Sequence, residues 1–522
     1  MKRKMIWLAG IFSIVFLLSG TAAWAGTAVY SNPVLGYSLS YPDDMQVDTS
    51  LGNVCTVFRN AECQIEVYYQ PLQKSSYLSY VNYSNSGFWQ NTVDHQNRWT
   101  GKQTINGNTV QITKWNRNKL KQVEQDLNYY YTADIRKSST EAYSIFIKSS
   151  RDVSADRKYM AVIQSFAFIQ PRGENTAVSF RETAEETASR VNRLNLETKY
   201  LLNTYFSADA PLTWGIFEPT APGDLAKLLK LENQMGQRFK FILYYHHLFG
   251  DVPIETVVKG LETAYANGYI TELTLQTGNY NKDNAMYDIL NGEYDAYFTR
   301  YAQAIAKFEH PVLLRFCNEM NGDWCIYSAY HTGKDTEIYK KCYRYIHDIF
   351  EQNGANNVLW VWNPNEKSFP DFTWNAMELY YPGNAYVDII GLTGYNTGTY
   401  YAGESWRSFD QIYGSMYQNY QAMFTQPMMI TEFASSSIGG DKAAWITDMF
   451  QALEKYPAIK VAIWWNGCDW AVPGEVPARP YWVNETEQTL NSFKEGWAAQ
   501  TAAIKAKQEA AQQAQTEQEE TV

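Results

Sequence analysis

Two hydrophobic rhythms divide this chain. From about residue 27 to 170, short segments alternate apolar and polar positions: LGYSLSY, CTVFR, CQIEVYYQ, NTVQITKWN, LNYYYTADI and AYSIFIKSS. A period of two, rich in Val, Ile, Tyr and Phe and broken by Asn, Gly and Ser, predicts an antiparallel sheet. The closing stretch SADRKYMAVIQSFAFI has helical spacing instead. The prediction is a small α+β domain over 27–170, with no catalytic constellation in it.

From Trp214 onward, apolar strand-like runs alternate with amphipathic stretches such as GDLAKLLKLENQMG and EIYKKCYRYIHDIFEQNG. The runs are WGIFE, FKFILYYHH, ITELTLQ, VLLRFCNE, NVLWVWN, VDIIGLTGYN, PMMITEF and KVAIWWNG. Eight strand–helix units in roughly 285 residues have the size and rhythm of a (β/α)₈ TIM barrel, which we assign to 201–498. A doubly wound sheet would alternate in the same way, but eight regular units favour closure. The predicted fold class is therefore α/β, a (β/α)₈ barrel preceded by a small α+β domain with an antiparallel sheet. Between the two, residues 171–200 are polar and charged, as suits a linker that becomes helical. Residues 499–522, dominated by Ala, Gln, Glu and Lys without an apolar face, are expected to form a frayed or disordered tail.

The first 25 residues break this picture. Lys2, Arg3 and Lys4 precede an apolar run from Met5 to Leu18, and Ala23-Trp24-Ala25 has the small-x-small form of a cleavage site. They predict a secretory signal and a secreted or cell-envelope protein. The alternative is an uncleaved anchor, although the run is shorter than the ~20 residues a span needs. No later stretch is apolar enough to cross a bilayer, so no stable membrane span is expected after cleavage.

Charge and cysteine content narrow the function. A formal charge of −11 without any basic block argues against a nucleic-acid partner, whose binding rests on phosphate neutralisation. Six cysteines are too few for a disulfide framework in 522 residues. Cys55 and Cys63, close in sequence and on segments that two adjacent strands could bring together, are the candidate pair, and the sequence leaves that bridge open.

The candidate chemistry sits where two apolar strands stop. VLLRFCNEMNGDW runs into Glu319, and PMMITEFASS runs into Glu432. Desolvating a charge without partners costs several kcal/mol, so a carboxylate at the end of a buried strand is a candidate for chemistry. Counted along the barrel, Glu319 ends strand four and Glu432 ends strand seven, at the face where barrel enzymes carry their sites. Two carboxyl groups about 5 to 5.5 Å apart would serve a retaining glycosidase, one as acid/base and one as nucleophile. Either glutamate alone could be an ordinary surface residue among 55 acidic ones, a reading that finding both on strands of the correct order makes the lesser one.

Other residues fit around this pair. Alternation places 315, 317 and 319 on one strand face, making Arg315 a candidate cation beside the carboxylates or a structural ion pair inside the barrel. His246 and His247 end strand two and could touch substrate. With 17 Trp and 40 Tyr, the chain is rich in side chains that stack on the C–H faces of sugars. Trp360, Trp362, Tyr380, Tyr381, Tyr400, Tyr401 and Trp470 fall at or after strand ends. Core packing is the simpler account of each; together they favour a polysaccharide groove. No HExxH or similar ligand set, G-x-S-x-G elbow or nucleotide loop occurs, so no metal, cofactor or serine nucleophile is expected.

RFCNEMNGDW, followed by VLWVWNPN, VDIIGLTGYN, MITEF and AIWWN, resembles glycoside hydrolase family 26 of the retaining (β/α)₈ clan. That family contains β-mannanases and some β-glucanases and xylanases, and the resemblance spans roughly residues 205–497. It implies Glu319 as acid/base and Glu432 as nucleophile. Tyr395 matches the tyrosine whose hydroxyl contacts the nucleophile. Trp324 and one of Trp464 or Trp465, preferably Trp465, match aromatics lining the subsite of cleavage. Asn318 stands where the family usually has histidine, as in relatives elsewhere in the clan whose amide contacts the sugar 2-hydroxyl, and Thr393 stands where the family often has aspartate. The opening GYSLSYP with SFAFI resembles PsbP-like domains. The function this implies is a retaining endo-β-glycanase acting on a β-1,4-mannan-type polysaccharide. The alternatives are a β-1,3/1,4-glucanase or exopolysaccharide-processing hydrolase, and a non-catalytic glycan-binding envelope protein.

Overall fold

The computed structural model describes residues 26–73, 75–278 and 284–520; the signal segment predicted over 1–25 lies outside them. The N-terminal region is built on a seven-stranded antiparallel sheet. Its spatial order is Gln46–Asp48, Thr56–Arg59, Cys63–Pro71, Glu141–Ser149, Tyr129–Arg136, Asn108–Asn116 and Gln96–Ile105. Alternation sends Ile65, Val67, Ile112 and Ile135 to one face, where they pack with Tyr37, Leu39, Tyr159 and Ile163 of a smaller sheet and a helix. The opposite face sends Val57, Tyr68, Trp115, Tyr130 and Phe146 into a core shared with the barrel.

Helix α1 (Tyr77–Gln90) covers this second face, and the sequence did not announce it. YLSYVNYSNSGFWQ is full of Asn, Ser, Tyr and Gly, which are weak helix formers. Two things make it helical: Ser76 caps it by accepting a bond from the Ser79 amide, and Tyr77, Tyr80, Val81, Ser84 and Phe88 bury one stripe. The open question over Cys55 and Cys63 is answered against a bridge. Both thiols are free, and Cys55 packs in the core shared with the barrel while Cys63 packs on the other side of the sheet.

Eight parallel strands close into the barrel: β1 (Thr213–Phe217), β2 (Phe241–His247), β3 (Ile270–Gln276), β4 (Val312–Phe316), β5 (Val358–Trp362), β6 (Ile389–Thr393), β7 (Met428–Phe433) and β8 (Ile459–Trp465). β1 pairs with β8 from Thr213↔Val461 to Phe217↔Trp465, which completes the ring. The segment expected to be a linker does more than connect. Helix α2 (Leu196–Phe206) plugs the amino-terminal mouth, where Leu194, Leu201 and Phe206 pack on inward-facing Leu243, Leu313, Leu359, Met429 and Ile463. Arg190 joins this closure by donating to Asp388 at 2.9 Å. Helix α3 (Glu487–Glu520) buries Phe493 and Trp497 beside Trp214 and continues to Glu520, so the segment expected to fray is helical.

Candidate active site

Glu319 reaches the carboxyl-terminal face through a strained turn. β4 ends at Phe316, and Cys317 and Glu319 adopt left-handed backbone angles, φ 50° and 55°. Non-glycine residues adopt this region rarely and at a cost, and such outliers cluster at functional sites. Two bonds hold the turn: the Glu319 amide donates to the Asn363 carbonyl at 2.7 Å, and the Gly322 amide donates to the Glu319 carbonyl at 2.9 Å. The strand face expected to unite 315, 317 and 319 therefore does not exist. Cys317 turns into the surrounding core, while Arg315 alone points into the barrel.

Glu432 reaches the same place through a bulge in β7. Met428 and Ile430 face the helical layer and Met429 faces the barrel interior, as alternation requires. Continued alternation would send Glu432 outward. Instead, the register slips between Ile430 and Phe433, Phe433 rejoins the outer core, and Glu432 turns inward. An extra residue on one strand re-aims a side chain in this way.

Both carboxylates line one cleft of about 860 Å³. Glu432 is held by donors: Arg315 Nη2 donates to its Oε2 at 2.8 Å, and the Tyr245 hydroxyl donates to the same oxygen. Arg315 is itself fixed by Thr274 at 2.8 Å, by Asn363 at 2.9 Å and by an ion pair with Glu272 at 3.0 Å. It thus serves both as the cation beside the carboxylate and as part of an ion-pair network in the barrel. Glu319 has a different environment. Burial, and after it the charge of Glu432, push its carboxyl up to about 7 against bonds from Asn365 and Trp324 and the charge of Arg315. Asn365 Nδ2 donates to Glu319 Oε1 at 2.6 Å. One carboxyl that holds its proton stands beside another clamped by a guanidinium, an arrangement suited to acid and nucleophile roles.

The other expected residues divide between the cleft and the core. Asn318, Trp324, Tyr395 and Trp465 line the cleft. Trp464 points outward, with its indole N–H donating to the Tyr481 carbonyl at 2.9 Å. Tyr395 packs against Tyr481 and Trp465, and its hydroxyl is pushed up by burial and then by Glu432, but the hydroxyl bonded to Glu432 is that of Tyr245. The polar edge of Trp324 acts to lower the Glu319 carboxyl, the smallest of the influences on it, whereas burial, the largest, raises it. Thr393 lies beneath the site, bonded to Asn363 at 3.1 Å and Thr431 at 2.9 Å.

His246 does not line the cleft. Strand alternation turns Tyr245 inward and His246 outward, where its ring meets the Tyr301 hydroxyl and the Val252 carbonyl, each at 3.1 Å. Trp360, Trp362, Tyr380 and Tyr381 are core residues, while Tyr401 lines the cleft. No cluster of His, Cys, Asp or Glu suited to a metal ion occurs among the described residues.

Sequence reasoning missed Tyr245, Glu272, Gln276, Asn363 and Asn365. A signal existed for the β3 residues: ITELTLQ places Glu272, Thr274 and Gln276 at alternate positions between apolar neighbours, a polar stripe inside a barrel. Gln276 uses it to donate to Asn318 Oδ1 at 2.7 Å. Burial pushes the Glu272 carboxyl up to about 8, with Arg315 opposing and Glu432 adding to the shift.

Comparison with known proteins finds a family match over part of the chain. Residues 258–461 match the family described as Glycosyl hydrolase family 26, a span that contains both glutamates and Tyr395 but neither Tyr245 nor Trp465. Over 238 residues the chain is 36% identical to endoglucanase H of Acetivibrio thermocellus, a stretch covering 45% of this chain and 25% of that protein. It is 26% identical over 235 residues to a mannan endo-1,4-beta-mannosidase of Bacillus subtilis, covering 40% of this chain and 58% of the other. It is 26% identical over 129 residues to the beta-1,3-xylanase TXYA of a Vibrio species, covering 24% and 26%. The chain thus spans 25% to 58% of the length of these relatives.

Proposed function

The barrel is a Glycosyl hydrolase family 26 domain over residues 258–461, and from that premise we propose that the protein is a retaining endo-β-glycanase. The observation that carries the proposal is the unequal pair in one cleft: Glu319 with a raised pKa, and Glu432 clamped by Arg315 and Tyr245. In the first step Glu319 gives its proton to the glycosidic oxygen as Glu432 attacks the anomeric carbon, releasing the leaving sugar and forming a glycosyl-enzyme. In the second, the Glu319 carboxylate takes a proton from water, whose oxygen attacks the same carbon and frees Glu432. Two inversions restore the starting configuration.

The substrate we propose is a β-1,4-mannan-type polysaccharide, in keeping with the mannan endo-1,4-beta-mannosidase among the relatives. A β-1,3/1,4-glucan or an exopolysaccharide is the second reading. Two observations favour it: the 36% identical relative is an endoglucanase, and Asn318 replaces the histidine usual in the family. Export through residues 1–25 belongs to the same proposal. No helix among the described residues is long and apolar enough to cross a membrane.

A panel of mannan, mixed-linkage glucan, xylan and exopolysaccharide, read by reducing ends and by the NMR-detected anomer of the first products, tests the proposal. Cleavage with retained configuration supports it. Inverted products would refute the assigned roles. Binding of a polymer that is never cut would make this a glycan-binding envelope protein.

A further inference from the structure

A second concavity of about 340 Å³ adjoins the cleft where the two domains meet. Gln73, Ser79 and Tyr83 line it from the N-terminal domain; Asp323, Phe369 and Asp371 line it from the barrel loops. Phe369 also lines the catalytic cleft, so the two hollows share a wall. Its ring lies 5.3 Å from that of Trp324, which lines the catalytic cleft with Glu319.

Three aromatic side chains follow this path out of the cleft with much of their surface in water: Trp324 is 53% exposed, Phe369 43% and Tyr83 44%. Phe369 lies against Trp324 and Tyr83 against Tyr330, and rings left in solvent around one hollow mark a surface that something covers. Polar groups are interleaved with them. The Tyr83 hydroxyl donates to Asp323, and Gln73 Nε2 donates to Asp371 at 3.0 Å, so two carboxylates are held across the domain boundary with acceptor capacity to spare. Broad apolar faces beside hydroxyl acceptors suit a sugar chain, and two acidic groups disfavour a uronate-bearing one.

The surface is already formed. α1 is fastened to the barrel loops by Trp374 Nε1 donating to Ser84 at 3.1 Å and by a 2.7 Å hydroxyl pair between Ser86 and Tyr330, with Tyr80 edge-on to Phe372 at 4.7 Å. We propose that the N-terminal domain supplies a distal subsite in which a neutral β-linked glycan, running out of the catalytic cleft, lies across Phe369 and Tyr83. This rests on the glycanase reading above and extends it. It gives the N-terminal domain a role and makes the enzyme prefer long chains over short ones.

The test compares kcat/KM on a long neutral polymer with that on a short oligosaccharide that fills only the barrel cleft. Tyr83→Ala, and Ser79→Trp as a steric plug at an exposed position, are each expected to lower the polymer value about three- to ten-fold while the short-substrate value holds within about two-fold. Tyr83→Phe, which keeps the ring and loses the bond to Asp323, is expected to retain most of the polymer value. In a Glu432→Gln background, Tyr83→Ala should also weaken retardation in gels containing the polymer. Equal losses on both substrates would mean that Tyr83 only props the Asp323–Trp324 loop, and no loss at all would remove the subsite; either result overturns the inference and leaves the glycanase standing. A wild type that neither cuts nor retains any polymer overturns both.

Discussion

At the scale of single residues, the division of labour follows from what surrounds each carboxyl. Glu319 is half-buried beside a second carboxylate, and Glu432 is bonded to a guanidinium and a hydroxyl. Glu319→Gln should lower kcat/KM by about 10² to 10⁴, the usual worth of a general acid, and Glu432→Gln by more than ~10³; variants as active as the wild type would refute the roles. The proposed mechanism has Glu319 begin protonated, so it predicts that activity falls as pH rises through about 7. The Asn365 bond favours the ionised form, so Asn365→Ala should raise the Glu319 pKa and move that limb to higher pH in a kcat/KM profile. Glu272 predicts a stability effect. Its raised carboxyl pKa means that the folded state binds the proton more tightly, so stability falls as pH rises between 4.5 and about 8. Melting curves at either end of that window should show Glu272→Gln gaining on the wild type as pH increases.

At the scale of elements, two local irregularities assemble the pair. The turn after β4, with its two left-handed residues, and the one-residue bulge in β7 both break the regular geometry, and each break is what presents a glutamate. The turn also sets Trp324 over Gly322, where an added Cβ would stand 2.5 Å from the indole ring. Gly322→Ala should therefore displace Trp324, weakening polymer turnover and changing tryptophan fluorescence; an unchanged spectrum with full activity would show that the loop yields easily. The eight barrel strands were legible because buried parallel strands are continuous apolar runs. α1 was not, because its helicity comes from a partner face rather than from its own residues. His246 was named and Tyr245 missed for a related reason: a run of seven strand residues does not announce which alternate set faces the axis.

At the scale of the whole molecule, the two domains share a core and a buried charge network. Lys148 of the N-terminal sheet pairs with Glu66 and with Asp335, each at 2.7 Å, and Asp335 caps a barrel helix. Burial is the largest influence on the Asp335 carboxyl and would raise it, but Lys148, Lys341 and Arg117 together outweigh burial and hold the carboxyl below its ordinary range. A depressed carboxyl pKa adds stability above the unfolded value that is lost as pH falls through the folded one. Lys148→Met strands two buried carboxylates and should cost about 3–5 kcal/mol in chemical denaturation; a near-neutral result would show that water reaches the network. The sequence by itself determined the eight-strand barrel and the strand ends at which Glu319 and Glu432 stand, because apolar periodicity and strand ends are local properties of the chain. Only the tertiary structure decided that a bulge turns Glu432 inward, that Tyr245 and Arg315 hold it, that residues 171–200 lead into a plug, and that the N-terminal domain stands against the cleft. Those outcomes depend on which surfaces remain to be covered once the barrel has closed, and residues far apart in the chain settle that together.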